Sequence, residues 1–351
     1  MINKPQVLEC TLRDGSYAID FQFTENDTRN ITRRIDALGF ELIEVGHGIG
    51  LGASRNGHDV AAATDEQYMR AAAESVSQSS WGMFCIPGIA QLQDLEIAKD
   101  YGIDFIRIGC EVDKVADAID FISYAKKNGI YVFSNLMKSY TSDPTYFAEQ
   151  ATICIEEGAD CVYIVDSAGG MLPNELDQYS EAVWSMDSDA VLGFHGHNNL
   201  GMAVANSLHC LDRGFAVADS SLQGFGRSSG NAPTEQLVSA MMRSGYAIEM
   251  DVVDVMQAGE DFIRPLIRNN GIDSLDTTSG LALFHSSYMN RVIEVAKLYN
   301  IDPRRLIIEL CNHDRINAPQ ELIISCAETV AERYGRDFLP KIRIYHGEEQ
   351  A

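Results

Sequence analysis

The sequence predicts an α/β protein, a closed (β/α)8 barrel of the TIM-barrel architecture followed by a C-terminal helical domain. Three observations carry this expectation. Over about 225 residues, a helical stretch repeatedly ends in glycine and an apolar run rich in β-branched residues begins shortly after. Gly39, Gly102, Gly129, Gly158 and Gly214 mark these junctions, where glycine accepts the left-handed conformation that ends a helix. The runs are nearly all apolar rather than alternating, as in parallel strands covered on both faces. Eight such runs occur, near residues 6–12, 41–46, 81–86, 104–109, 130–136, 160–166, 190–195 and 217–223. Eight strands alternating with helices suit a closed barrel. A doubly wound open sheet is the runner-up, weakened because no GxGxxG turn follows the first strand.

The elements carry their own signals. Thr24 with Asp27 forms a capping box, and Ile31, Ile35 and Leu38 then share one helix face. Beyond residue 260 the glycine punctuation stops. Phe284, Tyr288, Val292, Val295 and Tyr299 recur at helical spacing, and "APQELIISCAETVAERYG" repeats the theme. The expected domains are a barrel over 1–260 and a helical domain over 261–345, with the tail "HGEEQA" disordered.

Composition narrows the function. The chain has 351 residues, 46% of them hydrophobic, and no apolar run long enough to span a membrane. "MINKPQVLEC" lacks the apolar core of a signal peptide, so a cytoplasmic location is expected. The net charge of −24 disfavours nucleic acid and anionic membranes as partners. Eight scattered cysteines without a CxxC motif read as buried reduced thiols.

Active sites of such barrels sit where strands end. The seventh run ends in "GFHGHNN", and side chains two apart on a strand point the same way, so His195 and His197 aim together. The first run leads into Arg13 and Asp14. Two imidazoles with Asp14 as third ligand leave open positions on a divalent ion, where a 2-oxo acid can chelate. Arg13 then stands where enolate charge develops. After the sixth run, Ser167 and the amides of Ala168 and Gly169 form a candidate nest for a carboxylate. "LQGFGRSSGNAPTE" is only weak support for a phosphate. Glu44 and Asp166 are carboxylates placed to support the ligands from behind. His47 is a candidate for the mouth, whereas His58, His209, His313 and His346 read as surface or packing residues.

"TLRDG" and "HGHNN" together resemble the metal-dependent lyase/aldolase superfamily that includes isopropylmalate synthase and HMG-CoA lyase. "IEVGHGIGLGAS", "YIVDSAGGM", "GNAPTE" and "HSSYMNRVIEVAKLYNI" extend the likeness to the 4-hydroxy-2-oxovalerate aldolase family over nearly the whole chain. The resemblance implies a divalent metal, usually Mn²⁺ with Co²⁺, Mg²⁺ or Zn²⁺ as alternatives, held by Asp14, His195 and His197. It implies cleavage of a 4-hydroxy-2-oxo acid to pyruvate and an aldehyde. Arg13 matches an enolate-stabilising arginine and Ser167 a residue at the substrate carboxylate, while Phe84 and Cys85 are expected to meet the aldehyde. A CoA-acylating aldehyde dehydrogenase docked on the C-terminal domain is implied as a partner, and a homo-oligomer is expected.

The chain departs from the family pattern once. Tyr17 stands where the family carries a histidine base, and His285 where it carries a tyrosine. The expectation is that the two residue types have exchanged, with Tyr17 and His285 facing each other over the substrate and His285 doing or relaying the proton transfer. The rival readings are a Claisen-type acyl-CoA condensing enzyme or lyase on the same barrel, a Schiff-base aldolase using Lys138, and a non-catalytic scaffold for an aldehyde dehydrogenase.

Overall fold

A computed structural model describes residues 5–267 and 273–336. The eight apolar runs become eight parallel strands that close in sequence order: β1 Gln6–Glu9, β2 Leu42–Glu44, β3 Ser80–Cys85, β4 Phe105–Glu111, β5 Tyr131–Met137, β6 Cys161–Asp166, β7 Leu192–Gly196 and β8 Val217–Ser220, with β8 pairing back on β1. Closure rules out the open-sheet alternative. Helices α1 Glu25–Leu38, α2 Asp65–Ala73, α3 Leu92–Asp100, α4 Val115–Lys127, α5 Pro144–Glu156, α6 Pro173–Met186, α7 Ala203–Asp212 and α8 Thr234–Arg243 follow the strands in turn. The Thr24–Asp27 capping box is present at α1, which ends at Gly39 with φ +92°.

Strands β1, β2 and β8 each end two or three residues before their apolar runs do. β1 stops at Glu9 because the amides of Arg13 and Asp14 both turn back to the Cys10 carbonyl, and a 3₁₀ turn over Asp14–Ile19 follows. Arg13 and Asp14 therefore sit on this turn. β8 stops at Ser220 because the Leu222 amide donates to the side chains of Thr11 and Glu9 instead of a strand.

Period-two alternation sorts the barrel side chains. The lower interior is apolar: Leu8, Leu42, Phe105, Phe133, Tyr163 and Val217 share one buried cluster. Above it lies a buried ionic layer of Glu44, Arg107 and Asp219. The outward-facing residues pack against the helices in the largest apolar cluster.

Beyond the barrel come α9 Val252–Ala258, α10 Ser274–Ala282, α11 Met289–Tyr299, α12 Pro303–Cys311 and α13 Gln320–Tyr334. Val255, Ala258 and Ile263 still join the barrel's cluster, whereas residues from Leu275 to Ala331 form a separate one. This second body lies on the barrel at close quarters: a Cβ on Gly170 would meet the Gly280 carbonyl oxygen at 2.1 Å. Only glycine permits that approach. The tail "HGEEQA" and His346 lie outside the described residues. No helix among the described residues is long and apolar enough to cross a membrane. All eight cysteines are buried free thiols.

Candidate active site

The polar residues at the strand ends converge on one narrow cavity. Its walls include Arg13, Asp14, Tyr17, Phe84, Ser167, His195, His197 and His285. Ligand atoms of Asp14, His195 and His197 all lie within 4.8 Å of one another, and all three residues are buried.

Each ligand is prepared from behind. His195 Nδ1 donates to Asp219 Oδ2 at 2.7 Å, which leaves Nε2 toward Asp14 Oδ2, 3.8 Å away. His197 Nδ1 faces the Gly230 carbonyl at 3.3 Å, so its Nε2 is the free nitrogen too. Burial pushes the His197 pKa down to about 3, so the ring is the neutral imidazole a metal needs. Burial opposes the charge on Asp14, but Arg13, His197 and His195 outweigh it and hold its carboxyl far below the usual range. The Arg227 amide at 3.1 Å and Asn231 Nδ2 at 3.2 Å both donate to Asp14 Oδ1. Asn231 Oδ1 is buried there without a hydrogen-bond partner among the described residues, a further oxygen donor beside the three ligands.

This donor set fits a divalent cation: two imidazoles, one carboxylate and an unused oxygen. A second group, Cys10, His195 and Asp219, also comes together but fits poorly. Burial raises the Cys10 thiol well above its ordinary value, and Asp219 is already engaged by Arg107 and by the Tyr163 hydroxyl at 2.9 Å.

Arg13 is held on two sides. Its Nε donates to Glu44 Oε2 at 2.9 Å and its NH1 to Asp14 Oδ2 at 2.6 Å. The guanidinium carbon lies 4.9 Å from the centre of the Phe84 ring. Arg107, fully buried on β4, ties Glu44 at 2.7 Å to Asp219 at 2.6 Å. A single chain of charges thus runs from Asp14 through Arg13, Glu44, Arg107 and Asp219 to His195.

Tyr17 and His285 line the same cavity from opposite parts of the chain. Burial lifts the Tyr17 phenol to about 12, so it remains protonated at neutral pH. Ser287 engages His285 Nδ1, with Oγ at 2.7 Å and the amide at 3.3 Å, which leaves Nε2 for the cavity. Burial, then the Arg227 and Lys138 cations, hold the His285 pKa well below 6.5.

Three expectations and one rival reading need correction. Cys85 faces the helices, because alternation along β3 sends Phe84 and Ile86 inward and Cys85 into the outer cluster. His47 stays outside the cavity: its ring stacks on Phe21 at 4.2 Å, Nε2 meets the Asp59 carbonyl at 2.8 Å and Nδ1 accepts from the Ile49 amide. The Ala168–Gly169 nest does not form for a substrate. The Gly169 amide donates to the Asp166 carbonyl, and the next two amides, of Gly170 and Met171, donate to the Asp166 carboxylate. Of that trio only Ser167 lines the cavity. Lys138 is no Schiff-base candidate. Its Nζ is tied to Glu111 Oε1 at 2.8 Å and to the Ile316 carbonyl at 3.4 Å, outside the cavity walls.

Arg107, Asp219, Arg227 and Asn231 escaped the reading of the sequence. Arg107 had a signal, a lone cation inside the apolar run "DFIRIG". Asp219 had a similar one in "FAVADSSL". Arg227 and Asn231 lay in the loop "GFGRSSGN", whose glycines pointed only to close backbone approach.

Comparison with known proteins gives the chain its relatives. The HMGL-like family model matches residues 4–262. A 4-hydroxy-2-oxovalerate aldolase 2 from Rhodococcus jostii (strain RHA1) is 36% identical over 334 residues, covering 95% of this chain and 97% of that protein. A 4-hydroxy-2-oxovalerate aldolase from Carboxydothermus hydrogenoformans is 34% identical, over 93% and 97% of the two chains. Among solved structures, the HMG-CoA lyase from Brucella melitensis superposes with a TM-score of 0.65 at 18% identity, covering 76% of this chain and 99% of that one. The carboxyl transferase domain of Rhizobium etli pyruvate carboxylase (Y628A, with pyruvate) gives 0.75 at 13% identity, over 96% and 63%. These two likenesses speak for the fold alone. The chain belongs to the HMGL-like family and, within it, to the 4-hydroxy-2-oxovalerate aldolase family.

Proposed function

We propose that this chain is a divalent-metal-dependent aldolase that cleaves a 4-hydroxy-2-oxo acid to pyruvate, or a related 2-oxo acid, and an aldehyde, and joins them in reverse. The observation that supports this best is the convergence of Asp14, His195 and His197 beside Arg13. Bound there, a divalent cation supplies Lewis-acid polarisation of the 2-keto oxygen. Mn²⁺ is the ion we assign, with Co²⁺, Mg²⁺ and Zn²⁺ as the alternatives to be compared.

The side chains divide the remaining work. In cleavage the C4 hydroxyl loses its proton, C4 becomes the aldehyde carbonyl, and the C3–C4 electron pair moves into an enolate. Arg13, fixed by Glu44, keeps its positive charge where that enolate oxygen develops. Ser167 meets the substrate carboxylate. His285 takes the C4 hydroxyl proton at Nε2 in the tautomer whose Nδ1–H donates to Ser287 Oγ at 2.7 Å. Its low basicity means it passes the proton on rather than keeping it. Tyr17 remains a phenol and orients the substrate as a hydrogen-bond donor. C3 then takes up a proton and pyruvate leaves.

The C-terminal helices carry exposed Leu281 and Leu298, and we assign to this body the docking of a CoA-acylating aldehyde dehydrogenase that receives the aldehyde. A homo-oligomer in the cytoplasm completes the reading. The test is pyruvate release, coupled to lactate dehydrogenase, from a panel of 4-hydroxy-2-oxo acids, before and after EDTA and with each metal restored. Turnover that needs the metal is expected. Release that persists in EDTA, or free thiol appearing from acetyl-CoA and a 2-oxo acid while no hydroxy acid is cleaved, would overturn it.

A further inference from the structure

One charged residue of the cavity wall has no task in that chemistry. Arg227 stands on the loop after β8 and is 7% exposed. Its backbone is set against the ligand cluster. Its amide donates to Asp14 Oδ1 at 3.1 Å, and the Gly230 amide donates to its carbonyl at 2.8 Å. The approach needs the glycine before it, because a Cβ on Gly226 would meet Asp14 Oδ1 at 2.8 Å and Asn231 Nδ2 at 2.5 Å. With its stem fixed in this way, the side chain reaches the opposite end of the site.

There it meets both groups assigned to proton transfer, one through a neighbour and one directly. Nε donates to Ser286 Oγ at 2.7 Å, and Ser286 follows His285, the N-cap of the turn Ser286–Tyr288. The guanidinium carbon lies 5.1 Å from the centre of the Tyr17 ring, within cation–π range. Phe21 meets that ring edge-on at 5.0 Å, and a Cβ on Gly48 would meet it at 2.7 Å. The ring is thus held between β1's turn, the loop after β2 and Arg227. Burial is the largest influence on both the Tyr17 phenol and the His285 imidazole, and the Arg227 cation comes next for each, lowering both. A positive charge there favours Tyr17 as a proton donor and His285 as a group that does not keep its proton.

We propose that Arg227 is a positioning residue for proton transfer. It ties the turn that carries His285 to the loop that holds Asp14, and it seats the Tyr17 ring, so that both side chains are set against the C4 hydroxyl of the substrate. This rests on the aldolase reading above and adds a residue to it. Misplacing a reacting group by about 1 Å costs on the order of 10²-fold in rate. Here that cost falls on the reaction step and not on binding of the metal or of the 2-oxo acid.

The experiment compares the metal-loaded enzyme with Arg227→Met, Ser286→Ala and the double variant. It measures kcat and KM for the 4-hydroxy-2-oxo acid of the panel above that turns over fastest, and Mn²⁺ affinity by titration calorimetry. Arg227→Met should lower kcat about 10²-fold and leave KM and Mn²⁺ affinity unchanged. Ser286→Ala removes one hydrogen bond and should lower kcat about 2- to 10-fold. The double variant should fall no further than Arg227→Met, because the two residues act through one contact. An undiminished kcat in Arg227→Met, a loss of Mn²⁺ affinity in step with kcat, or losses that multiply in the double variant would each overturn the inference. Exchange of the pyruvate methyl protons into D₂O by the unaltered enzyme, followed by NMR, reports enolisation and leaves the aldolase reading standing in those cases. Absence of both exchange and hydroxy-acid cleavage overturns the aldolase reading and this inference with it. Where Arg227→Met does not fold, Ser286→Ala decides alone, and an undiminished kcat there overturns the inference.

Discussion

His195 presents Nε2 to the ligand cluster because Asp219 occupies Nδ1, and Asp219 stays ionised because Arg107 lies against it. Exchanging Asp219 for asparagine offers His195 an amide in place of a carboxylate and leaves Arg107 half-paired. The expected outcome is a 10- to 100-fold weaker metal affinity, measured by titration calorimetry of the apo-protein with Mn²⁺. An unchanged affinity would show that Asp219 does not orient the ligand. Arg13 makes two separate contacts, through Nε to Glu44 and NH1 to Asp14. A lysine can put one charge there but not both donors in a plane. Arg13→Lys should lower kcat by about 10²- to 10³-fold, while titration calorimetry still finds one metal per chain. Full activity in Arg13→Lys would sink the enolate role.

At the scale of elements, the turn that follows β5 couples the two bodies. Lys138 holds a left-handed backbone at φ +55°. Its buried ammonium joins Glu111 of β4 to the Ile316 carbonyl, and it lies 5.2 Å from the centre of the Tyr288 ring. Tyr288 also donates to the Ile316 carbonyl and closes the short 3₁₀ turn Ser286–Tyr288, whose N-cap is His285. Lys138 therefore positions His285 through this turn. Lys138→Met should cost about 1–3 kcal/mol of local stability and speed amide hydrogen exchange over residues 284–288 and 316–317. It should lower kcat while exchange in the barrel strands stays slow. Protection equal to that of the unaltered protein would show that the turn is held without it.

For the whole molecule, pH acts through carboxylates the fold has buried. Glu9 lies under the loop after β8, where burial raises its pKa from 4.5 to about 7 even though Thr11, Thr234 and Leu222 donate to it. The native state thus keeps a proton that the unfolded chain releases. The stability this contributes is present in full below about pH 4.5 and is lost as pH rises through 7, a fall of about 3 kcal/mol. Urea unfolding between pH 5 and 8 should show that fall, and Glu9→Gln should flatten it. A variant that kept the same slope would exclude Glu9 as its source. The charge of −24 belongs to the same scale. It keeps polyanions from the surface, while the cavity mouth, with Arg13 and Arg227 in its walls, still admits a small acid.

The sequence by itself determined the barrel, strand by strand, because glycine-terminated helices and uniformly apolar runs are local signals that survive without knowledge of contacts. It also determined the His195–His197 pair, since two residues on one strand need only the period of the strand to be placed on one face. Tertiary structure alone decided which carboxylate lies behind which ligand. Glu44, Arg107 and Asp219 are separated by 63 and 112 residues and meet only when the sheet closes. It decided against Cys85, His47 and the Ala168–Gly169 nest for the same reason in reverse. A side chain's neighbours depend on the exact strand end and on which amides the turns consume, and chain spacing records neither.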